Sequence, residues 1–184
     1  MTGPRARPEP SAALLPGVCV YGLLLLSSFL WLWLRGRLEV VPAVAIGAHG
    51  PVASSGLGLA VGCLGASAFR LLSARTQRFR EIEGSVRELF GGIGGTAALA
   101  FVLTGAIAEE FFFRLAVQDA LGLAGAVAAY ALLNSSMAGI AWIPVAAVHA
   151  LVLGALVWSG FGLLASTTAH AVMNYLSLRR ILCA

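Results

Sequence analysis

Residues 96–121 read TAALAFVLTGAIAEEFFFRLAVQDAL, an apolar run interrupted in the middle by two adjacent carboxylates and an arginine. The run is long enough to cross a bilayer as one helix, which needs about 20 residues. An ionised side chain at the bilayer centre costs about 3 kcal/mol on insertion scales. A membrane helix that keeps Glu109, Glu110 and Arg114 is therefore expected to place them in a functional site inside a helical bundle.

The composition is that of an integral membrane protein. Of 184 residues, 59% are hydrophobic and 11% are charged, whereas soluble domains are about 25% charged. The net charge of +4 lies in short arginine clusters between apolar runs. Such clusters suit contact with anionic lipid headgroups and set membrane orientation. We therefore expect the lipid bilayer as a partner and no nucleic acid.

The fold class predicted from these runs is an all-α, polytopic membrane helix bundle with about six transmembrane spans. No alternating pattern of ten residues suggests a barrel. A disordered N-terminal tail over residues 1–10 is expected to precede a single integral membrane domain over 11–184. The predicted spans are 11–34, 52–69, 96–121, 123–139, 142–158 and 163–178.

Residues 70–88 form the one strongly polar segment, with five arginines and apolar residues at intervals of three to four. This pattern predicts an amphipathic helix on the membrane surface. The excess of arginine places the helix, and with it both termini, on the cytoplasmic side. Arg35 and Arg37 then lie on the opposite side of the membrane, against the positive-inside rule. The prediction follows the larger number of arginines.

The two carboxylates are expected to have different partners. Residues four apart on a helix share a face, so Arg114 can form a structural ion pair with Glu110. Glu109 points about 100° away and has a weaker claim on the arginine. A buried carboxylate without a full partner can take a proton from water. Glu110 is thus predicted to be anchored and Glu109 to be available for chemistry.

Polar residues recur at four-residue spacing in later spans. The last span carries His170 and Asn174, and the fourth carries Tyr130 and Asn134, while His149 lies in the middle of the fifth. A single such residue often makes only a hydrogen bond between helices. His170 and Asn174, at the depth of the acidic pair, favour a site.

Glu-Glu-x-x-x-Arg followed by His-x-x-x-Asn in a later span resembles the CPBP family of intramembrane proteases, which includes the CAAX proteases and bacteriocin-processing (Abi) enzymes. The resemblance covers about residues 80–180. It implies a glutamic-type endopeptidase with Glu109 as general base, Glu110 paired with Arg114, and an oxyanion-stabilising pair, His170 and Asn174. It further implies a membrane-anchored protein or peptide substrate, with a C-terminal sorting or processing signal as one candidate, and a bacterial cytoplasmic (inner) membrane.

The sequence departs from the family at one position. The family's middle motif is Phe-x-x-x-His, whose histidine shares the water with the first glutamate, and here the chain reads Tyr130-Ala-Leu-Leu-Asn134. An asparagine cannot act as a base. Either Asn134 only orients the water, which is the interpretation adopted from position, or His149 supplies the missing imidazole from the next span.

Two other functions remain open at the level of sequence. The polar cluster could tie helices together in a non-catalytic scaffold or immunity factor, or it could form the proton path of a small transporter, although no inverted repeat is visible. No cofactor is predicted. A metal bound by Glu109, Glu110, His149 and His170 is disfavoured, because Arg114 would repel a cation and no His-Glu-x-x-His spacing occurs.

Overall fold

The computed structural model describes the backbone of residues 10–183 and the side chains within 14–135, 139–140 and 142–183. The regular elements in this range are all helical, and it contains no strand, so the predicted all-α class is confirmed. The α-helices are α1 (Pro10–Leu34), α2 (Val40–Ile46), α3 (Gly50–Arg75), α4 (Gln77–Phe90), α5 (Gly95–Glu110), α6 (Gln118–Ala138), α7 (Ile143–Trp158) and α8 (Gly162–Cys183). The predicted tail over residues 1–10 lies outside the described residues except for Pro10.

Helices lie where the six spans were predicted. Within the described residues, three segments are long and apolar enough to cross a membrane: Leu14–Leu34, Gly50–Arg75 and Gly95–Ser135. The third of these is bent, because Gly122 has φ 71° and ψ 180° within it. That conformation is strained for residues with a Cβ, and it divides the segment at the boundary between the predicted third and fourth spans. Ile143–Trp158 is a shorter apolar helix.

Close packing of α3 on α8 brings α8 into the centre of the bundle. A Cβ added to Gly62 would lie 2.7 Å from the Ala169 carbonyl oxygen and 2.7 Å from Cβ of Val172. Real Cβ atoms do not approach that closely, so only glycine permits this approach of the two helices. Small residues permit such close contact between membrane helices.

The predicted amphipathic helix is present as α4, and it is attached to the protein as well as being polar on one side. Val86 and Phe90 pack against the buried cluster that includes Ala98 and Leu178. Glu83 accepts hydrogen bonds from Ser73 and Arg180. Part of the apolar face therefore covers the end of the bundle, which differs from a helix lying only on lipid. Its cytoplasmic location stays a prediction.

Candidate active site

A π-helix begins directly after the acidic pair. Residues Phe111–Val117 form this element between α5 and α6. In a π-helix the backbone hydrogen bonds span one residue more than in an α-helix, and such segments are frequent at functional sites. The buried residues of the segment include Phe113, Arg114 and Leu115. The wider helical turn thus contains Arg114, the residue whose side chain contacts the Glu110 carboxylate.

Glu110 is completely buried and has two cationic or potentially cationic partners. Arg114 donates from Nε to Oε2 of Glu110 over 3.0 Å, and both side chains are 0% exposed. Nδ1 of His170 lies 3.0 Å from the other carboxylate oxygen, Oε1. Both oxygens of Glu110 are therefore engaged, which leaves this carboxylate as an anchor.

Glu109 has a more open environment. Its side chain is 21% exposed, and its Oε2 lies 3.9 Å from Nε2 of His170. The hydroxyl of Tyr130 on α6 lies beside this carboxylate. Glu109 thus has a weaker hold on cationic partners than Glu110 and remains accessible for chemistry.

His170 on α8 connects the two carboxylates. The residue is 2% exposed, with one ring nitrogen facing Glu110 and the other facing Glu109. A neutral imidazole carries a single N–H. If Nδ1 donates it to Glu110, the nitrogen that faces Glu109, Nε2, carries no hydrogen. Both ring nitrogens of His170 thus face the acidic pair, and neither points away from that pair toward a substrate oxygen.

The two asparagines named from the sequence occupy different positions. Asn134 donates through Nδ2 to the Tyr130 carbonyl oxygen of its own helix over 3.0 Å. Asn174 lies one turn after His170 on α8, is partly exposed, and makes no side-chain hydrogen bond within the described part of the chain. The structure therefore leaves the Asn174 amide available, whereas the amide of Asn134 is already used locally.

His149 on α7 lies in the cluster. Its ring centroid is 4.9 Å from that of His170 and 5.5 Å from that of Tyr130, two residues that both adjoin Glu109. Tyr130 itself was missed as a site residue, although it stands at the aromatic position of the family's middle motif. The Tyr130 ring also packs on Phe113 at 4.8 Å and lies 5.9 Å from the Arg114 guanidinium carbon.

Arg114 has polar atoms that its ion pair does not use. Its Nη1 and Nη2, like Oε1 of Gln118, are buried and find no hydrogen-bond partner among the described residues. A cavity of about 260 Å³ beside them is lined in part by Gln118, Asp119 and Val157. No group of three or more His, Cys, Asp or Glu side chains in the described residues converges as a metal site, and the absence of a cofactor stays a prediction.

The residues of this cluster lie in a region that matches a known protein family. A family model described as type II CAAX prenyl endopeptidase Rce1-like matches residues 95–176. Residues 95–176 are thus similar to the CAAX proteases of the CPBP family. The matched region runs from the start of α5 into α8, and it contains both carboxylates, His149 and the His-x-x-x-Asn motif. Comparison with curated proteins and with solved structures gave no match.

Similarity to the CAAX proteases indicates the class of protein and leaves its details open. The long apolar helices and the similarity to a family of membrane proteases indicate an integral membrane protein. Helices α1 to α4 lie before the matched region. The substrate, the chemical roles of the individual residues and the orientation in the membrane are matters for proposal.

Proposed function

We propose that this protein is an intramembrane endopeptidase that hydrolyses a peptide bond of a membrane-associated protein through a water molecule activated by Glu109. The observation that carries the proposal is that the two adjacent carboxylates in the family-matched region have different environments. Glu110 is fully buried between Arg114 and His170, and Glu109 is 21% exposed. Such a division suits a pair in which one member anchors and the other exchanges protons.

The reaction follows from these positions. Glu109 removes a proton from water, the resulting hydroxide adds to the carbonyl carbon of the scissile bond, and the protonated Glu109 returns the proton to the leaving amine. Glu110 remains ionised beside Arg114 throughout. Asn174 is the best-placed amide to stabilise the oxyanion, because its side chain has no other hydrogen bond within the described residues.

His149 is assigned the role that the histidine of the middle motif has in the family. Its ring contacts those of His170 and Tyr130, which both adjoin Glu109. Asn134, at the matching sequence position, instead donates to its own helix backbone. These contacts favour His149 over Asn134 as the second group at the water, the reverse of the choice made from sequence position.

The activity can be tested by mapping protein termini. Membrane proteins from cells that express the wild type, Glu109→Gln or Glu88→Gln are analysed by mass spectrometry for newly formed termini. Glu88 is an exposed carboxylate of α4, so Glu88→Gln controls for the loss of a charge. We expect a set of termini common to the wild type and Glu88→Gln that Glu109→Gln lacks. Identical termini in all three, at equal protein levels, would contradict proteolysis.

The substrate class requires a second experiment. Purified protein is offered a quenched fluorescent peptide ending in a prenylated CAAX sequence, and the same peptide without the prenyl group. We propose a C-terminal sorting or processing signal of a membrane-anchored protein as the substrate, so cleavage of neither peptide, together with Glu109-dependent C-termini in cells, is expected. Cleavage of the prenylated peptide alone would replace that substrate with a CAAX protein.

A non-catalytic scaffold is the alternative, and the asparagine in the middle motif favours it. In a scaffold the polar cluster serves only to hold α5, α6 and α8 together. Glu109→Gln would then lower stability without changing any terminus. The mapping experiment, with the thermal unfolding of the same variants, separates the two functions.

A further inference from the structure

Tyr21 on α1 packs against the helix that carries the acidic pair. Its ring centroid is 5.3 Å from that of Phe101 on α5. One turn further along α5, a Cβ added to Gly105 would lie 2.7 Å from Cζ and 2.8 Å from the hydroxyl oxygen of Tyr21. The phenol end of Tyr21 therefore rests directly on the backbone of Gly105, in space that any other residue would fill.

Gly105 lies four residues before Glu109, so both are on the same face of α5. Side chains of a helix tilt toward its N-terminus and cover the turn that precedes them. The Glu109 carboxylate therefore extends toward the turn of Gly105, where the Tyr21 hydroxyl lies. The phenol and the carboxylate thus approach the same turn of α5, although no hydrogen bond joins them in this structure.

We propose that Tyr21 is a positioning residue of the active site, whose hydroxyl donates a hydrogen bond to the Glu109 carboxylate. Tyr130 approaches the same carboxylate from α6. Two phenols from different helices then hold the proposed base in one orientation toward the water. The catalytic part of this inference rests on the proposed function, whereas the contact between Tyr21 and Glu109 does not.

The inference gives α1 a role that its packing alone does not suggest. In the span Leu14–Leu34 only Ser28 and Leu32 are buried, so most of this helix faces outward. The family-matched region begins at residue 95 and does not include α1. A residue that adjusts the proposed base would thus come from a segment outside the part of the chain that defines the family.

The contact can be tested without any substrate. The infrared carboxyl band that disappears in Glu109→Gln is assigned to Glu109, and its frequency reports the hydrogen bonds that the group accepts. Tyr21→Phe removes one oxygen and keeps the ring that packs on Phe101, and we expect it to shift this band. Tyr175→Phe is the matched control, because the Tyr175 ring lies beside Arg179, and it should leave the band unchanged.

Gly105→Ala provides an independent variant. The new methyl group would occupy the position of the phenol and should displace it, with the same shift of the Glu109 band. Gly22→Ala, next to Tyr21 on α1, places its Cβ in open space and should have no effect. If Tyr21→Phe leaves the band in place, the proposed hydrogen bond is wrong.

Kinetics test the positioning role. With a quenched peptide that the wild type cleaves, Tyr21→Phe should lower kcat by about 10–100-fold, the equivalent of one hydrogen bond to a charged group. KM and the melting temperature should stay near those of the wild type, which a merely structural role would not predict. An unchanged kcat overturns the positioning role. A shifted band in a protein that cleaves nothing would instead support the contact and refute proteolysis.

Discussion

Replacing Arg114 with alanine should strand a buried negative charge. Glu110 and Arg114 have 0% exposed side chains and are joined over 3.0 Å, so solvent cannot compensate for the lost partner. Removing one member of such a pair costs about 3–5 kcal/mol. The contact from His170 to Glu110 survives the substitution, which points to the lower part of that range.

The cost should be visible as a loss of thermal stability. For a domain of this size, 1 kcal/mol corresponds to a shift in Tm of about 2–4 °C. A cost of about 3–4 kcal/mol should therefore lower the Tm of Arg114→Ala by about 6–16 °C. Unfolding in detergent can be followed through the fluorescence of the chain's four tryptophans. Arg114→Lys keeps a charge near Glu110 and should recover part of the loss, although it lacks the planar guanidinium.

The double variant Glu110→Gln with Arg114→Met separates the charge from the packing. Because it removes both charges together, it should be more stable than Arg114→Ala alone, since no carboxylate is left without a partner. The reasoning fails if Arg114→Ala unfolds within about 1 °C of the wild type. It also fails if the double variant loses more unfolding free energy than Glu110→Gln and Arg114→Met lose together as single variants.

Three further predictions concern the site and the bundle. His170→Ala should lower cleavage by about 10²–10³-fold or more, because Glu109 and Glu110 lose the imidazole between them, and progress curves with the quenched peptide measure this. His149→Ala should be nearly inactive and Asn134→Ala should keep most activity, and the opposite result would return the role at the water to Asn134. Gly62→Leu should destabilise the protein by at least about 1–3 kcal/mol, since its side chain would collide with α8. Gly56→Leu, where a Cβ meets open space, should unfold at nearly the wild-type temperature.

The helices and their approximate limits could be predicted from the sequence. A membrane interior satisfies no backbone hydrogen bonds, so an apolar run of sufficient length has to form a helix. The boundary between the predicted third and fourth spans falls at Gly122, where the backbone adopts a positive φ. The pairing of Glu110 with Arg114 was also predicted from spacing, because residues four apart on a helix share a face.

The π-helix could not be predicted in the same way. Nothing in Phe111–Val117 distinguishes it from an ordinary apolar helical segment, and helical periodicity was assumed to continue through it. A π-helical turn has weaker hydrogen bonding than an α-helical turn and persists only when the surrounding structure favours it. The inward-facing Arg114 is held by Glu110, a contact that depends on the packed bundle.

Only the tertiary structure brought His170, His149 and Tyr130 into one cluster around the carboxylates. These residues come from three helices, α8, α7 and α6. Sequence periodicity determines which residues share a face within one helix but not how each helix is rotated against its neighbours. That rotation depends on close contacts such as Gly62 against α8 and Gly105 against Tyr21. Sequence position alone therefore selected Asn134. In the structure the amide of Asn134 donates to its own helix, and the ring of His149 lies against those of His170 and Tyr130. Contacts between helices orient these side chains, which spacing along the chain cannot do.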